Sequence, residues 1–293
     1  MKLRKLANVA LCAVLAVAFT FGAVLPENAS SNSATGKVPT APLNSEAAGT
    51  VQVKNLQNGQ PDQYLTAGQR VSCVKNERLY QIINNTGKTK TTTIIYKSQV
   101  NGGIILSAAN SRNANVSVYV SDQKGKRITV KSKVNALSST RYMQHITFGA
   151  LKGKTYQIRI EDSASATSVG FKAVNYTASY GSSYKKPSVL KNNERRKGFI
   201  AAGTNSKKYY KYSVKGRQVR VIFSGDVDSR LYAQVTASAP GYKSMTKTIS
   251  LTRSSGSKVT FSVKSARRMT VQVRVYRYGT SSGIYYVMCS KMK

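Results

Sequence analysis

Residues 271–278, with the sequence Val-Gln-Val-Arg-Val-Tyr-Arg-Tyr, alternate β-branched and polar side chains with a period of two. This alternation is typical of a strand with one face in a core and the other in solvent. It predicts that Val271, Val273 and Val275 are buried and that the residues between them face outward. Residues 156–160, Tyr-Gln-Ile-Arg-Ile, have the same pattern.

The pattern recurs at a constant offset. Gln157 and Gln272 are 115 positions apart, and so are Ile104 and Val219, the first residues of another pair of strand-like runs. A constant offset between several matching segments indicates that a whole domain is duplicated. The length of 293 residues suits two domains that each bury their own core.

Most other recognisable segments are short runs rich in Val, Ile, Thr, Tyr and Phe, bounded by Gly, Asn or Ser turns. Short strands at this spacing favour two packed antiparallel sheets in each domain. We therefore predict an all-β protein of two tandem antiparallel β-sandwich, jelly-roll-like domains. The first would cover residues 51–179, including an N-terminal appendage, and the second residues 188–293, with a linker at 180–187.

The N-terminus has the order of a secretory signal peptide: Lys2, Arg4 and Lys5, then an apolar run of 17 residues at 9–25, then a polar stretch. An apolar run of this length is short for a membrane span, although an uncleaved anchor is the alternative. We predict a signal peptide at 1–29 and a disordered Ser/Asn/Ala/Thr/Pro spacer at 30–50. The mature chain would be extracellular, associated with the cell envelope and not inserted in the membrane.

The composition is strongly basic. The chain has 46 Lys and Arg against 10 Asp and Glu, a net charge of +36, and loss of residues 1–29 leaves 43 against 9, or +34. A surface with this charge attracts polyanions. Because no nucleic-acid-binding motif is recognisable, we expect no nucleic-acid partner. The expected partner is an anionic glycopolymer of the cell wall or of a host mucosal surface.

Basic residues cluster in one hairpin of the first repeat and at the start of the second. The members of these clusters that we take as binding candidates are Lys124, Lys126, Arg127, Arg195 and Arg196. In the absence of a local motif, their contribution would be charge alone.

A second group of candidates lies on the outward parity of strands in the second repeat. It comprises Arg220, Arg274, Tyr276 and Tyr278, with Tyr232 as a further member. Guanidinium and phenol groups on one face would hold phosphate, sulfate or sugar carboxylate through paired hydrogen bonds and ring stacking. The alternative is a solvated strand face that protects the sheet from aggregation.

Other candidate chemistry is sparse. His145 is the only histidine, so general-base chemistry has one possible centre, and we expect no catalytic residue and no cofactor. Asp226 and Asp228 form a weak candidate for a cation site, with a turn as the alternative. Cys73 and Cys289 remain after export; they are candidates for a disulfide, and free thiols are the alternative.

Two segments resemble a known family. Residues 152–160, with Gly153 and Tyr156 before alternating isoleucines, resemble the closing strands of bacterial pre-peptidase C-terminal domains, and residues 226–232 resemble the strand entry of that family. The resemblance implies two tandem copies of an extracellular jelly-roll module that serves targeting or substrate binding and not catalysis.

Taken together, these features predict a secreted, monomeric, non-catalytic binding protein. Two other classes remain open at this stage. The first is an adhesive or structural surface protein that binds another protein through its strand edges. The second is a secreted hydrolase of unrecognised type, which a single histidine and nine mature acidic residues disfavour.

Overall fold

A computed structural model of the chain describes residues 60–110, 116–134, 144–176, 180–253 and 255–292. The predicted signal peptide and spacer, and residues 51–59 of the appendage, lie outside these ranges. Regular structure within them consists of strands, with no helix that has the length and apolarity needed to cross a membrane.

Residues 63–175 form a first sandwich of two five-stranded sheets. Its strands are β1 (Gln63–Thr66), β2 (Arg70–Cys73), β3 (Glu77–Ile83), β4 (Lys90–Lys97), β5 (Gly102–Asn110), β6 (Val116–Ser121), β7 (Ser132–Val134), β8 (Gln144–Ala150), β9 (Thr155–Asp162) and β10 (Ala166–Asn175). One sheet has the order β1-β3-β10-β5-β8 and the other β2-β4-β9-β6-β7. Their inner faces share a core that includes Ile82, Ile94, Phe148 and Phe171.

Residues 188–292 form a second sandwich from one continuous sheet. Its strands are β11 (Ser188–Val189), β12 (Arg195–Ile200), β13 (Lys208–Val227), β14 (Arg230–Ala239), β15 (Tyr242–Thr252), β16 (Ser257–Arg277) and β17 (Gly283–Met292). The order is β12-β17-β13-β16-β14-β15, and β11 pairs in parallel with β13.

The two longest strands, β13 and β16, run through both layers of the second sandwich. Their pairing shifts register between Gly216 and Gln218, where the strands bend. Before the bend, β13 pairs with the later part of β16, which also pairs with β14. After the bend, β13 lies between β17 and the earlier part of β16 and pairs with both. Both halves point their inner side chains, such as Tyr210 and Val221, into one core.

The two sandwiches have equivalent strand orders. The order β3-β10-β5-β8 of the first sandwich corresponds to β12, β17, residues 218–227 of β13 and residues 257–262 of β16. The order β2-β4-β9-β6-β7 corresponds to β11, the first half of β13, the second half of β16, β14 and β15. In the first sandwich, a turn at 98–101 separates β4 from β5 and a turn at 151–154 separates β8 from β9. In the second sandwich, the corresponding segments are the single bent strands β13 and β16. The predicted all-β, antiparallel sandwich fold is confirmed.

The alternating pattern has the predicted consequence in β16. Val271, Val273 and Val275 are at most 1% exposed, whereas Gln272 and Arg274 between them are half-buried on the outer face. Burial of these branched side chains by both layers accounts for the strand conformation of the segment.

The sandwiches meet at a tight junction. The Thr147 hydroxyl of β8 donates a hydrogen bond of 2.6 Å to Asp226 of β13, and the Ala202 amide donates one of 2.8 Å to the Gly149 carbonyl. A small apolar cluster packs beside these bonds, made of Tyr176, Phe199, Ala201 and Ile284. In the predicted linker, the Gly181 amide donates to the Tyr209 carbonyl at 3.0 Å, so the linker is paired with β13.

Candidate functional site

Aromatic and basic side chains converge on the outer face of the second sandwich. We call this surface the Tyr/Arg face; it consists of Tyr184, Tyr209, Arg230, Tyr232, Arg274, Tyr276 and Tyr278. Strand register explains the convergence, because Tyr209 is opposite Arg274 and Tyr232 is opposite Tyr276 on adjacent strands. Residues directly opposite on adjacent strands have neighbouring side chains.

The rings of the Tyr/Arg face pack mostly edge to face. Tyr232 lies 5.6 Å from Tyr276 and 5.8 Å from Tyr278, measured between ring centroids. Tyr184, which comes from the linker, lies 4.8 Å from Tyr209 at nearly right angles. These mutual contacts leave Tyr278 58% exposed and Tyr184 38% exposed, so ring surface remains open to solvent.

Arg274 lies at the centre of the face. Its guanidinium is 5.1 Å from the Tyr276 ring centroid, and its backbone is flanked by Tyr209 and Gln234 on the neighbouring strands. No described residue accepts a hydrogen bond from its side chain or forms an ion pair with it, and its Nε atom is buried without a partner. The guanidinium is therefore held by ring stacking, with its hydrogen-bond donors uncommitted.

Charge and burial have opposite effects on the pKa of Tyr184 in the Tyr/Arg face. Partial burial raises the pKa of the Tyr184 phenol, while the positive charge of Arg274 lowers it. At the other end, a side-chain hydrogen bond with Tyr232 raises the pKa of Arg230, whose guanidinium lies 6.0 Å from the Tyr278 ring centroid. Both guanidinium groups therefore lie beside phenol rings.

Exposed tyrosine rings can stack on the apolar faces of sugars, and phenol groups can hydrogen-bond to their hydroxyls. An arginine held flat among such rings offers two parallel donors to a carboxylate, sulfate or phosphate. The arrangement has the chemistry to bind a glycan that carries negative groups.

The first sandwich has an arginine in the equivalent place. Arg159 of β9 lies between Thr93 and Tyr119 on adjacent strands, as Arg274 lies between Tyr209 and Gln234. A turn folds over it: the Gln157 amide donates to the Gln123 carbonyl at 3.0 Å, and Gly125 lies against the Arg159 guanidinium. The face is therefore covered in the first copy and open in the second.

The structure brings together part of the predicted strand-face group. Arg274, Tyr276, Tyr278 and Tyr232 are neighbours, as predicted from their parity. Arg220 does not join them, because it follows the bend in β13 and its strand neighbours are Thr260 and Ser290. The halves of β13 belong to opposite layers of the sandwich, so Arg220 lies on the opposite outer face.

The charge clusters are dispersed. Lys124, Lys126 and Arg127 are exposed on or beside the turn over the first sandwich, where Asp122 Oδ1 accepts hydrogen bonds from the amides of both lysines. Arg195 stacks on the Tyr286 ring at 4.1 Å.

Arg196 has a local structural role. Its guanidinium donates to Glu194 at 2.5 Å and to the Ser188 hydroxyl at 3.0 Å. The contact with Ser188 ties β12 to β11, and both contacts occupy donors that a ligand would need.

Asp226 and Asp228, the weak candidates for a cation site, lie at the junction and accept hydrogen bonds there. Asp226 accepts from Thr147, while Asp228 Oδ1 accepts the Ser282 amide at 2.7 Å. Burial raises the pKa of Asp228 to about 7, against opposing hydrogen bonds from Ser282 and other backbone groups. Across the described ranges, no three His, Cys, Asp or Glu side chains are grouped to hold a metal.

The two cysteines are free thiols, and the candidate disulfide between them is not formed. Cys73 lies in the core of the first sandwich and donates to the Lys75 carbonyl at 3.3 Å, whereas Cys289 lies in the core of the second. A bridge requires Cα atoms within about 7 Å, which two separate cores do not allow.

Sequence reasoning missed three members of the face, namely Tyr184, Tyr209 and Arg230. A signal was available for Tyr209, because residues 209, 211 and 213 alternate with the buried Tyr210 and Tyr212. Tyr184 lies in a segment without periodicity, so only its packing on Tyr209 reveals its position.

No protein-family model and no curated protein sequence matches the chain, so the resemblance to pre-peptidase C-terminal domains is not confirmed. Among solved structures, the chain is similar to the tandem CBM22 domains of Xyn10C from Paenibacillus barcinonensis, with 10% identity, a TM-score of 0.23, and coverage of 70% of this chain and 91% of that one. It is also similar to the M60 catalytic domain with two CBM51 domains of ZmpB from Clostridium perfringens, with 8% identity, a TM-score of 0.22, and coverage of 69% and 34%.

A further similarity is to a protein with a triple jelly-roll fold from an archaeal virus, with 12% identity, a TM-score of 0.22, and coverage of 75% of this chain and 60% of that one. Similarity at these values carries no functional inference for this chain.

Proposed function

We propose that the protein is a non-catalytic binding protein of the extracellular envelope that binds anionic glycans through the Tyr/Arg face. The observation that carries the proposal is Arg274, a guanidinium stacked on Tyr276 at 5.1 Å, surrounded by tyrosine rings and without an acceptor among the described residues. A sugar ring would lie on the phenols while its carboxylate, sulfate or phosphate bonds to Arg274.

The net charge supports the same class of ligand. A mature chain of +34 attracts any polyanion, and the open face adds a shaped site to that general attraction. The ligand would be a glycopolymer of the cell wall or of a host surface, and the protein would act as a monomer outside the cell. Its role would be attachment or targeting.

Isothermal titration calorimetry with sulfated, uronate and neutral disaccharides tests the proposal. Arg274→Lys keeps the charge but removes the planar fork, so we expect about tenfold weaker binding of the anionic sugars. Tyr276→Ala should weaken anionic and neutral sugars alike, because it removes stacking area.

Arg220→Lys is the matched control, since Arg220 is a half-buried strand arginine on the opposite outer face whose Nε also lacks a partner in the described structure. It should leave affinity within about twofold of the wild type. Unchanged affinity in both arginine variants would show that net charge, and not the face, determines binding, because each variant keeps its positive charge. A wild-type protein that binds no anionic sugar or polymer at low salt refutes the function.

A salt-insensitive, tight complex with another protein would instead support the adhesive alternative.

A further inference from the structure

The bend of β13 and β16 forms a strongly basic corner. Arg217 has no partner in the ladder at the register shift, and residues 263–266 bulge out on the opposite strand. Bulges of this kind redirect side chains. Six exposed cations surround the bend: Lys215, Arg217, Lys264, Arg267, Arg268 and Lys291. We call this set the basic corner.

The corner is open and its charge is not neutralised. Lys215, Arg217 and Lys291 line a surface hollow of about 500 Å³. Among the described residues, no acidic side chain forms an ion pair with a member of the corner.

The aliphatic part of the Lys291 side chain packs beside Gly216 at the hollow, where a Cβ atom on residue 216 would lie 3.4 Å from it. A tyrosine at the edge of the corner reports the local positive potential: a hydrogen bond with Ser265 lowers the pKa of Tyr242, and the charges of Arg267 and Lys264 lower it further.

A double row of outward side chains connects the Tyr/Arg face to the corner. The rows are paired across β13 and β16 as Tyr209 with Arg274, Lys211 with Gln272, Ser213 with Thr270 and Lys215 with Arg268. We call these eight residues the track. The track contains no acidic residue, and from Tyr209 to Lys215 it extends about 20 Å at the rise of a β-strand.

We propose that an extended anionic oligosaccharide lies along the track, with one end on the Tyr/Arg face and its further negative groups at the basic corner. The proposal rests on the proposed function of the face and specifies its ligand as a linear polymer of charged repeating units, long enough to span about 20 Å. Arg274 and the rings supply shape recognition, while Lys215 and Arg268 supply charge.

The track predicts that affinity increases with ligand length. Heparin-derived oligosaccharides, graded from disaccharide to decasaccharide, should bind more tightly until they span both ends and should gain nothing beyond that length. The double variant Lys215→Gln/Arg268→Gln should leave disaccharide affinity within about twofold and weaken the decasaccharide about tenfold or more. The slope of log affinity against log salt for the decasaccharide should fall by about 1.5, since two ion contacts are lost.

Lys124→Gln/Lys126→Gln is the control, because it removes the same charge from an exposed turn of the first sandwich. Equal losses in both double variants, or affinity independent of length while disaccharides still bind, overturn the track and leave the proposed function intact. If Arg274→Gln leaves the affinity for long oligosaccharides unchanged, the track is also overturned, because the basic corner would then bind them alone. If no oligosaccharide binds the wild type, the proposed function fails as well.

Parallel titrations with oligogalacturonates and with oligomeric glycerol phosphate distinguish carboxylate and phosphate ligands from sulfate. If the span of the track governs binding, affinity in all three series should stop increasing at the same extended length, about 20 Å. A length dependence in none of the three series rejects the inference.

Discussion

The Thr147 hydroxyl reaches from the first sandwich to the Asp226 carboxylate of the second, at an oxygen-to-oxygen distance of 2.6 Å. Thr147 is fully buried and Asp226 is 8% exposed, so the bond is shielded from solvent. Loss of a buried hydrogen bond costs more than loss of an exposed one, because the buried group left without a partner is not rehydrated. The two sandwiches are therefore coupled through a specific polar contact as well as through the paired linker.

Replacement of Thr147 by valine should lower the free energy of unfolding by about 2 kcal/mol, because the buried Asp226 side chain loses the hydroxyl that donates a hydrogen bond to it. Urea unfolding followed by circular dichroism measures the change. Thr270→Val provides the control, since the Thr270 hydroxyl pairs with Ser213 at an exposed site and its loss should cost less than about 0.5 kcal/mol. Equal effects would argue against an energetic role for the junction.

Asp228 should make stability fall between about pH 4 and pH 7. Burial raises its pKa in the folded protein from 3.8 to about 7, so the folded state holds a proton that the unfolded state has released in this window. Unfolding then becomes more favourable as pH rises through the window, and the effect is constant above it.

Asp228→Asn removes this titration, so the stability difference between variant and wild type isolates it. The free energy of unfolding of the variant, relative to that of the wild type, should increase from pH 5 to pH 8. Thermal or urea unfolding at several pH values measures the difference. A stability difference that does not change between pH 5 and pH 8 would mean that the pKa of Asp228 in the folded protein is not raised.

Thiol chemistry should distinguish the folded from the unfolded chain. Unfolded without reductant, the protein from residue 30 onward should release two thiols per chain to Ellman's reagent, because Cys73 and Cys289 are free. When the chain is folded at pH 8, Cys289 should react very slowly, since burial raises its pKa to about 12 and its thiolate is scarce. Recovery of no thiols from the unfolded, unreduced chain would show a disulfide.

Gly149→Ala should disrupt the junction. A Cβ at this position would lie 2.0 Å from the Ile200 carbonyl oxygen, so the backbone of one sandwich must move away from the other. We expect a loss of about 2 kcal/mol or more, as for other overpacked buried sites. Gly216→Ala is the comparison, because its Cβ meets only the flexible Lys291 side chain, and it should be nearly neutral. Thermal unfolding of both variants decides the point.

The alternating pattern of the sequence was sufficient to predict the fold and four of the seven residues of the Tyr/Arg face. Period-two alternation assigns Val273 to the core and Arg274 to the surface, because side-chain direction in a strand is a local property. The same parity placed Arg220 beside Arg274, and this was wrong. Parity distinguishes inside from outside but does not reveal a bend that moves half of a strand into the opposite layer.

The basic corner was beyond sequence reasoning for a different reason. Its members come from three segments, represented by Arg217, Arg268 and Lys291, and only the register shift in a non-local strand pair brings them together. Tyr184 likewise reaches the face through a tertiary contact with Tyr209. Contacts that depend on pairing between distant segments are not visible in the alternation of polar and apolar residues along the chain.

Strands β13 and β16 pass from one layer to the other without a break, and this continuity has a mechanical consequence. Strand β13 begins beside the Tyr/Arg face and ends at the junction that contains Asp226. Tension applied by a bound polymer would pass along the backbone of β13. The force would be shared among its interstrand hydrogen bonds, because these lie across the direction of the strand. We therefore expect a protein anchored by its first sandwich to hold a ligand under pulling force without peeling apart strand by strand.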